Sequence, residues 1–169
     1  IRVEDLYLTD EVWTITADTL INSAQTLFVS GDSEINFAGP YALTIEGGVE
    51  MTGTEDVPIG ICLTAGAGIG QIFLQHPSQA CLFSHCDFSG DGVSHSSSVS
   101  ANGGAIRAED TEDLEIENCR FTDLAVSGSG GAINANNSSL SIETVGSKVV
   151  NLLTKAALST PNIAHRPLP

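Results

Sequence analysis

Apolar residues recur at every second position in short runs along most of the chain. Leu43 and Ile45 flank one polar residue, and Leu114 and Ile116 do the same. Side chains of a strand alternate between its two faces, so each pair lies on one face with polar residues opposite. The pattern therefore predicts many short strands that share one core. The other pairs are Leu27/Val29, Ile35/Phe37, Cys81/Phe83, Cys86/Phe88, Cys119/Phe121 and Leu140/Ile142.

Whole strand-turn-strand units also repeat. The tetrapeptide Gly103-Gly104-Ala105-Ile106 recurs as Gly130-Gly131-Ala132-Ile133, at an offset of 130 − 103 = 27 residues. Upstream, Cys86-Asp87-Phe88 matches Cys119-Arg120-Phe121 at an offset of 119 − 86 = 33 residues. The difference lies in a Ser/Gly-rich stretch, Ser89 to Asn102, which predicts a flexible, protease-sensitive loop outside the core.

Unequal loops between matched strands are typical of solenoids, in which each coil contacts only its neighbours. Coils stacked in register at about 4.8 Å would bury the apolar pairs in a continuous core. We therefore predict an all-β fold, a parallel β-helix over residues 1–146, in which a third copy of the repeat begins at Leu140. Parallel crossovers are overwhelmingly right-handed, so a right-handed helix is expected. A β-sandwich is the alternative.

The predicted turns fit this architecture. Paired glycines before Ala-Ile supply unusual backbone angles and room for a sharp corner against the next coil. Asn102, Asn118 and Asn136 lie near predicted strand ends, where Asn tolerates left-handed geometry. The Gly-rich run Ala65–Gly70 is also predicted to be a turn, because it lacks the Lys-Ser/Thr end of a phosphate loop.

The composition changes after residue 146. Residues 147–169 contain no Asp or Glu but three of the six basic residues, so residues 1–146 carry 3 − 21 = −18 and the tail +3. The tail is either a cap over the open end of the solenoid or an appended segment. Its apolar residues fit one face of a helix that stops at Pro161. These are Val150, Leu153, Ala157 and Leu158.

The formal net charge of −15 excludes several classes of partner. Nucleic acid and anionic membrane surfaces would both be repelled. No apolar stretch approaches the ~20 residues that a membrane-spanning helix needs, so direct membrane insertion of this segment is not expected.

The four cysteines fit neither a zinc knuckle nor a redox motif. Buried apolar thiols are the first interpretation, and disulfides in an oxidising compartment are the second. Cys86 and Cys119 occupy equivalent strand positions, so they should stack as inward-facing thiols about one strand spacing apart.

No catalytic, cofactor or metal site is predicted. His76, Cys81, His85 and Cys86 are the one group of metal-capable types, but the strand pattern points them to different faces. Glu115 and Glu117 share a face, as paired carboxylates of a glycan-cleaving enzyme would. A solvated acidic face is the simpler interpretation.

The two GGAI tetrapeptides, each preceded by a strand with an aromatic residue and a Ser/Gly loop, resemble the chlamydial polymorphic membrane proteins. Members of that family are autotransporters with a β-helical passenger and a C-terminal outer-membrane barrel. The resemblance covers about Cys81 to Ile142. The family's FxxN tetrapeptides are absent, since Phe88–Asp91 and Phe121–Leu124 occupy the expected places without the Asn.

The resemblance implies an adhesin that attaches a bacterium to host cells. It places the segment at the bacterial cell surface or outer membrane, or in a released passenger. The implied partners are a host-cell receptor or glycan and neighbouring passenger segments. A polysaccharide-degrading β-helix enzyme and a structural spacer or folding template remain alternatives. The candidate adhesion-motif residues are Gly103, Gly104, Ala105, Ile106, Gly130, Gly131, Ala132 and Ile133, with the related aromatics Phe88 and Phe121.

Overall fold

The computed structural model describes residues 4–93, 104–125 and 131–143. Within these ranges the chain forms short β-strands and no helix. The strands are β1 Leu6–Thr9, β2 Val12–Ile15, β3 Thr19–Ile21, β4 Thr26–Ser30, β5 Glu34–Phe37, β6 Ala42–Ile45, β7 Gly48–Thr52, β8 Ile59–Cys62, β9 Gln71–Gln75, β10 Cys81–Ser84, β11 Cys86–Ser89, β12 Ile106–Glu109, β13 Leu114–Glu117, β14 Arg120–Thr122, β15 Ile133–Asn136 and β16 Leu140–Glu143.

Each strand from β1 to β13 pairs in parallel with the strand three places later in the chain. This pairing produces three sheets. The first sheet has the order β1-β4-β7-β10-β13-β16, the second β14-β11-β8-β5-β2 and the third β15-β12-β9-β6-β3. Three successive strands therefore make one coil, and the sixth coil begins with β16. The predicted parallel β-helix is confirmed, and the β-sandwich alternative is wrong, because no antiparallel pairing occurs among the described strands.

The core consists of inward side chains stacked in register from coil to coil. In the first sheet Leu27, Val49 and Cys81 are successive partners, and all three are buried. The period-two pairs are confirmed, since every member is buried except Ile142, which is half-buried on β16, an outermost strand. Each fully buried aliphatic or aromatic side chain contributes about 1.5–3 kcal/mol through burial.

Left-handed residues turn the chain from the first sheet into the second. Asp10, His85 and Asn118 follow β1, β10 and β13 with φ of 54°, 51° and 49°, and Gly31 follows β4 with φ of 69°. Among residues other than Gly, Asn, Asp and His adopt this conformation most readily. The prediction for Asn118 is confirmed.

A second left-handed column lies where the third sheet passes into the first. His76, Asp110 and Asn137 have φ of 45°, 48° and 49°. His76 Nδ1 lies 3.3 Å from an Asp110 carboxylate oxygen, and the Asn137 amide donates to the same carboxylate. Asn136 lies at the end of β15, as predicted, and the left-handed conformation belongs to the next residue, Asn137.

The solenoid extends well upstream of the family-like repeats, since β1 to β9 already form its first three coils. No helix long and apolar enough to cross a membrane occurs in the part of the chain that is described. Asn102, residues 147–169 and the helix predicted there lie outside the described residues.

Candidate functional site

The connections between the second and third sheets vary most in length. In the first two coils these connections are short and consist of residues 16–18 and residues 38–41. In the third coil the connection is longer and consists of residues 63–70. The connections that follow β11 and β14 contain still more residues, and the third sheet resumes at Ile106 and Ile133. The solenoid therefore takes up most of its length variation along this edge. We call residues 38–41, 63–70, 90–93 and 123–125 the loop ridge.

Backbone contacts between successive loops build the base of the ridge. The amide of Gly90 donates to the Thr122 carbonyl at 3.0 Å, and the amide of Gly92 donates to the Asp123 carbonyl at 2.7 Å. At Gly66 an added Cβ would lie 1.9 Å from the Ala38 carbonyl oxygen, so only glycine fits. Successive loops are therefore in direct backbone contact at their bases. The predicted turn at Ala65–Gly70 is confirmed.

Asp91 closes the start of the longest connection. Its carboxylate accepts a hydrogen bond from the backbone amide of Val93 at 2.9 Å, which is the arrangement of an Asx turn. Asp91 is the fourth residue of the tetrapeptide Phe88–Asp91. Val93 itself is 56% exposed, which makes it a large apolar side chain at the surface of the ridge.

The described part of the first GGAI tetrapeptide, Gly104 to Ile106, lies in the core. Gly104 is buried, and the side chains of Ala105 and Ile106 are 0% exposed. Ile106 is in register with Ile72 on one side and Ile133 on the other. The Ala105 amide donates to the Ala132 carbonyl at 2.8 Å. This motif therefore returns the chain from the ridge into the third sheet, and its side chains do not face a partner.

The second copy is less enclosed because β15 is an outermost strand of the third sheet. Gly131, Ala132 and Ile133 are half-buried. Gly103 and Gly130 lie outside the described residues.

The two aromatics associated with the motif are also internal. The rings of Phe88 and Phe121 stack with centroids 4.7 Å apart and planes 5° from parallel, and both residues are buried. They stabilise the contact between coils and are not surface contacts.

Three of the four cysteines are buried free thiols, as predicted, and Cys62 is half-buried on the outer face of the second sheet. Burial raises the pKa of the Cys81 thiol to about 12, so this thiol stays protonated at neutral pH.

The metal-capable residues do not converge. Exposed His76 pairs with Asp110, Cys81 faces the core, and His85 contacts the Ser84 hydroxyl at 3.0 Å. In the described ranges no three His, Cys, Asp or Glu side chains gather in a way that would hold a metal ion.

Glu115 and Glu117 do share the outer face of the first sheet. They lie in register with Leu82 and Ser84 of the preceding coil. In the following coil Glu117 is opposite Glu143. The carboxylates thus line one face of a sheet side by side, as expected for a solvated acidic surface.

Two outer aromatic contacts were missed at the sequence level. Tyr7 and Phe28 stack on the first sheet with centroids 5.0 Å apart, and Arg107 lies 4.8 Å above the Phe73 ring on the third. In both cases the two residues occupy matching outward positions in successive coils. This match can be recognised only when the register between the coils is known.

None of the protein-family models matches this chain, and no curated protein or solved structure matches it.

Proposed function

We propose that this chain is a binding and spacing segment of a surface-displayed bacterial passenger, acting as an adhesin toward host cells. The partner is a host-cell receptor or glycan, contacted by the loop ridge. The observation that carries the proposal is the separation of ridge and core. Connections along one edge change length while the inward columns keep their register from coil to coil.

This separation suits a recognition surface. Loops on a rigid scaffold vary without disturbing the core, and solenoids present extended surfaces of this kind. The ridge also displays Val93, an exposed apolar side chain beside the acidic Asp91 and Asp123. The resemblance of the GGAI units supports attachment as the context, and the burial of Ala105 and Ile106 supports recognition by the neighbouring loops rather than by the motif.

The test is saturable binding of the purified 169-residue chain to host cells. Val93→Arg adds bulk and charge to the ridge and should weaken binding at least about tenfold, equivalent to ~1.4 kcal/mol. Val57→Arg is the matched control, because Val57 is 39% exposed and lies between β7 and β8, away from the ridge. This control should bind as wild type does. Equal loss in both variants, or no saturable binding, would contradict the proposal.

The alternatives give different results in the same experiment. A glycan-degrading enzyme would release reducing sugar, and Glu115→Gln or Glu117→Gln would abolish the release. A folding template would neither bind cells nor compete with intact bacteria for attachment. Saturable binding without product supports the adhesin.

A further inference from the structure

Cys86 and Cys119 occupy the same place in two successive coils. Strands β11 and β14 pair in parallel with Asp87 opposite Arg120, and the two cysteines directly precede these partners. Each cysteine also follows a left-handed corner residue, His85 or Asn118.

The sulfur atoms of both cysteines lie against the same stretch of backbone. Cys119 Sγ lies 3.3 Å from the Phe83 carbonyl oxygen, so it leans toward the coil that contains Cys86, and Cys86 Sγ contacts the carbonyl of the next residue, Ser84. Cys86 Sγ makes only long contacts with carbonyl oxygens, 3.6 Å to Ser84 and 3.9 Å to Met51. Rotation of the Cys86 side chain toward Cys119 therefore breaks no strong bond.

The pair is chemically asymmetric. Interaction with the Cys86 thiol lowers the pKa of the Cys119 thiol, and interaction with the Cys119 thiol, together with burial, raises the pKa of the Cys86 thiol. A thiolate is the attacking species in disulfide exchange. Cys119 also precedes β14, the outermost strand of the second sheet in the part of the chain described, and is 5% exposed against 0% for Cys86. Cys119 is thus the thiol that an oxidant meets first.

We propose that Cys86 and Cys119 form an intercoil disulfide when the protein meets a disulfide oxidant, either a small-molecule disulfide or the disulfide of an oxidoreductase. The Cys119 thiolate attacks one sulfur of the oxidant and releases the first thiolate. Cys86 then loses its proton and attacks the Cys119 sulfur of the mixed disulfide, which releases the second thiolate. Two protein thiols lose two electrons, and the oxidant is reduced to two thiols.

The backbone spacing permits this bond. Paired parallel strands place their Cα atoms about 4.8 Å apart, inside the usual disulfide range of about 4.4–6.8 Å. The other cysteines have no sulfur beside them in register. Cys81 lies between Val49 and Leu114, and Cys62 lies between Asn36 and Ser89. The bond would tie the fourth coil to the fifth across the longest connection of the ridge.

The test uses a C62A/C81A variant, which keeps only this pair, with C62A/C81A/C119A as control. Both are unfolded, refolded in a buffer of reduced and oxidised glutathione, and checked for β-structure by circular dichroism. We expect the pair variant to lose both titratable thiols and two hydrogen atoms of mass, with no glutathione attached. Its melting temperature should rise on oxidation, whereas the control should keep a thiol or carry one glutathione and show no rise.

The four-cysteine chain is treated in parallel, and non-reducing peptide mapping should find one peptide pair joined through Cys86 and Cys119. Folded protein that retains both thiols free, or that carries glutathione instead of the internal bond, would overturn the proposal. The result is independent of host-cell binding, so it can fail while the proposed function stands.

Discussion

The rings of Phe88 and Phe121 lie face to face across the boundary between the fourth and fifth coils, with centroids 4.7 Å apart. Offset-stacked aromatic pairs contribute about 0.5–1.5 kcal/mol beyond the area that they bury. The strand register places these rings opposite each other, so the contact depends on the register between the two coils.

Phe88→Ala should therefore lower the free energy of unfolding by about 3–5 kcal/mol, because it empties a site enclosed by coils on both sides. Phe121→Ala should cost less, since Phe121 lies on an outermost strand and is slightly exposed. Urea unfolding of both variants, followed by circular dichroism, checks the order. An equal or reversed order would contradict the assigned register.

Substitutions in the GGAI tetrapeptide should lower the free energy of unfolding without changing the affinity for host cells. Ile106→Ala removes a fully buried side chain and should cost about 2–5 kcal/mol, whereas Ile133→Ala, on the half-buried copy, should cost less. At temperatures where Ile106→Ala is still folded, its affinity for host cells should equal that of wild type. Lost affinity in a fully folded Ile106→Ala protein would show that the motif contacts the partner.

Gly66 tests the packing of the ridge base. A Cβ there would lie 1.9 Å from the Ala38 carbonyl oxygen, so Gly66→Ala should cost about 1–3 kcal/mol through forced backbone shifts. Gly60→Ala is the control, because the nearest atom to its added Cβ is the flexible Glu34 side chain at 3.4 Å. Thermal unfolding of the pair should show a loss at Gly66 alone. If Gly66→Ala is tolerated as well as the control, the loops are not packed on one another.

Burial of Cys81 predicts a pH effect. The folded state raises the pKa of this thiol from 9.0 to about 12, so it holds the proton that the unfolded chain releases. Its contribution to stability is therefore complete below about pH 9 and falls as the pH rises toward about 12, by up to about 1.4 kcal/mol per pH unit. Urea midpoints of wild type and Cys81→Ala, measured between pH 8 and pH 11, check this. The variant should show the shallower decline, and parallel curves would contradict the buried position.

Comparing Cys86→Ser with Cys86→Ala separates the cost of burying a polar group from the cost of lost packing. The hydroxyl of serine is buried where the acceptor atoms are far away, so it should cost about 1–3 kcal/mol, and alanine should cost less. Equal tolerance of both, together with rapid thiol labelling in the folded protein, would place Cys86 outside the core.

The strands and their inward pairs were predictable because alternation is a local property of the sequence. Leu114 and Ile116 face the core for the same reason that any period-two pair does. The upstream coils were harder to recognise because the spacing between register partners changes, from 49 − 27 = 22 residues for Leu27 and Val49 to 81 − 49 = 32 for Val49 and Cys81. No fixed repeat period covers both.

The role of GGAI was not predictable from its recurrence alone. A repeated motif indicates a repeated requirement, and here Ile106 shows that the requirement is re-entry into the core after a loop. The left-handed residue lies one position after Asn136, at Asn137, because Asn136 still pairs with β12, where it is opposite Glu109. Such one-residue shifts depend on the neighbouring coil and not on local propensity.

The separation of ridge and core is tested most directly by deleting residues 94–99, which brings the longest connection to the length of its counterpart in the next coil. The free energy of unfolding should stay within about 0.6 kcal/mol of wild type, because loop closure depends only weakly on length. In the same preparation, binding to host cells should weaken, because the deletion begins directly after Val93 and shortens the connection that displays it. A variant that unfolds, or one that binds host cells as tightly as wild type, would contradict the account.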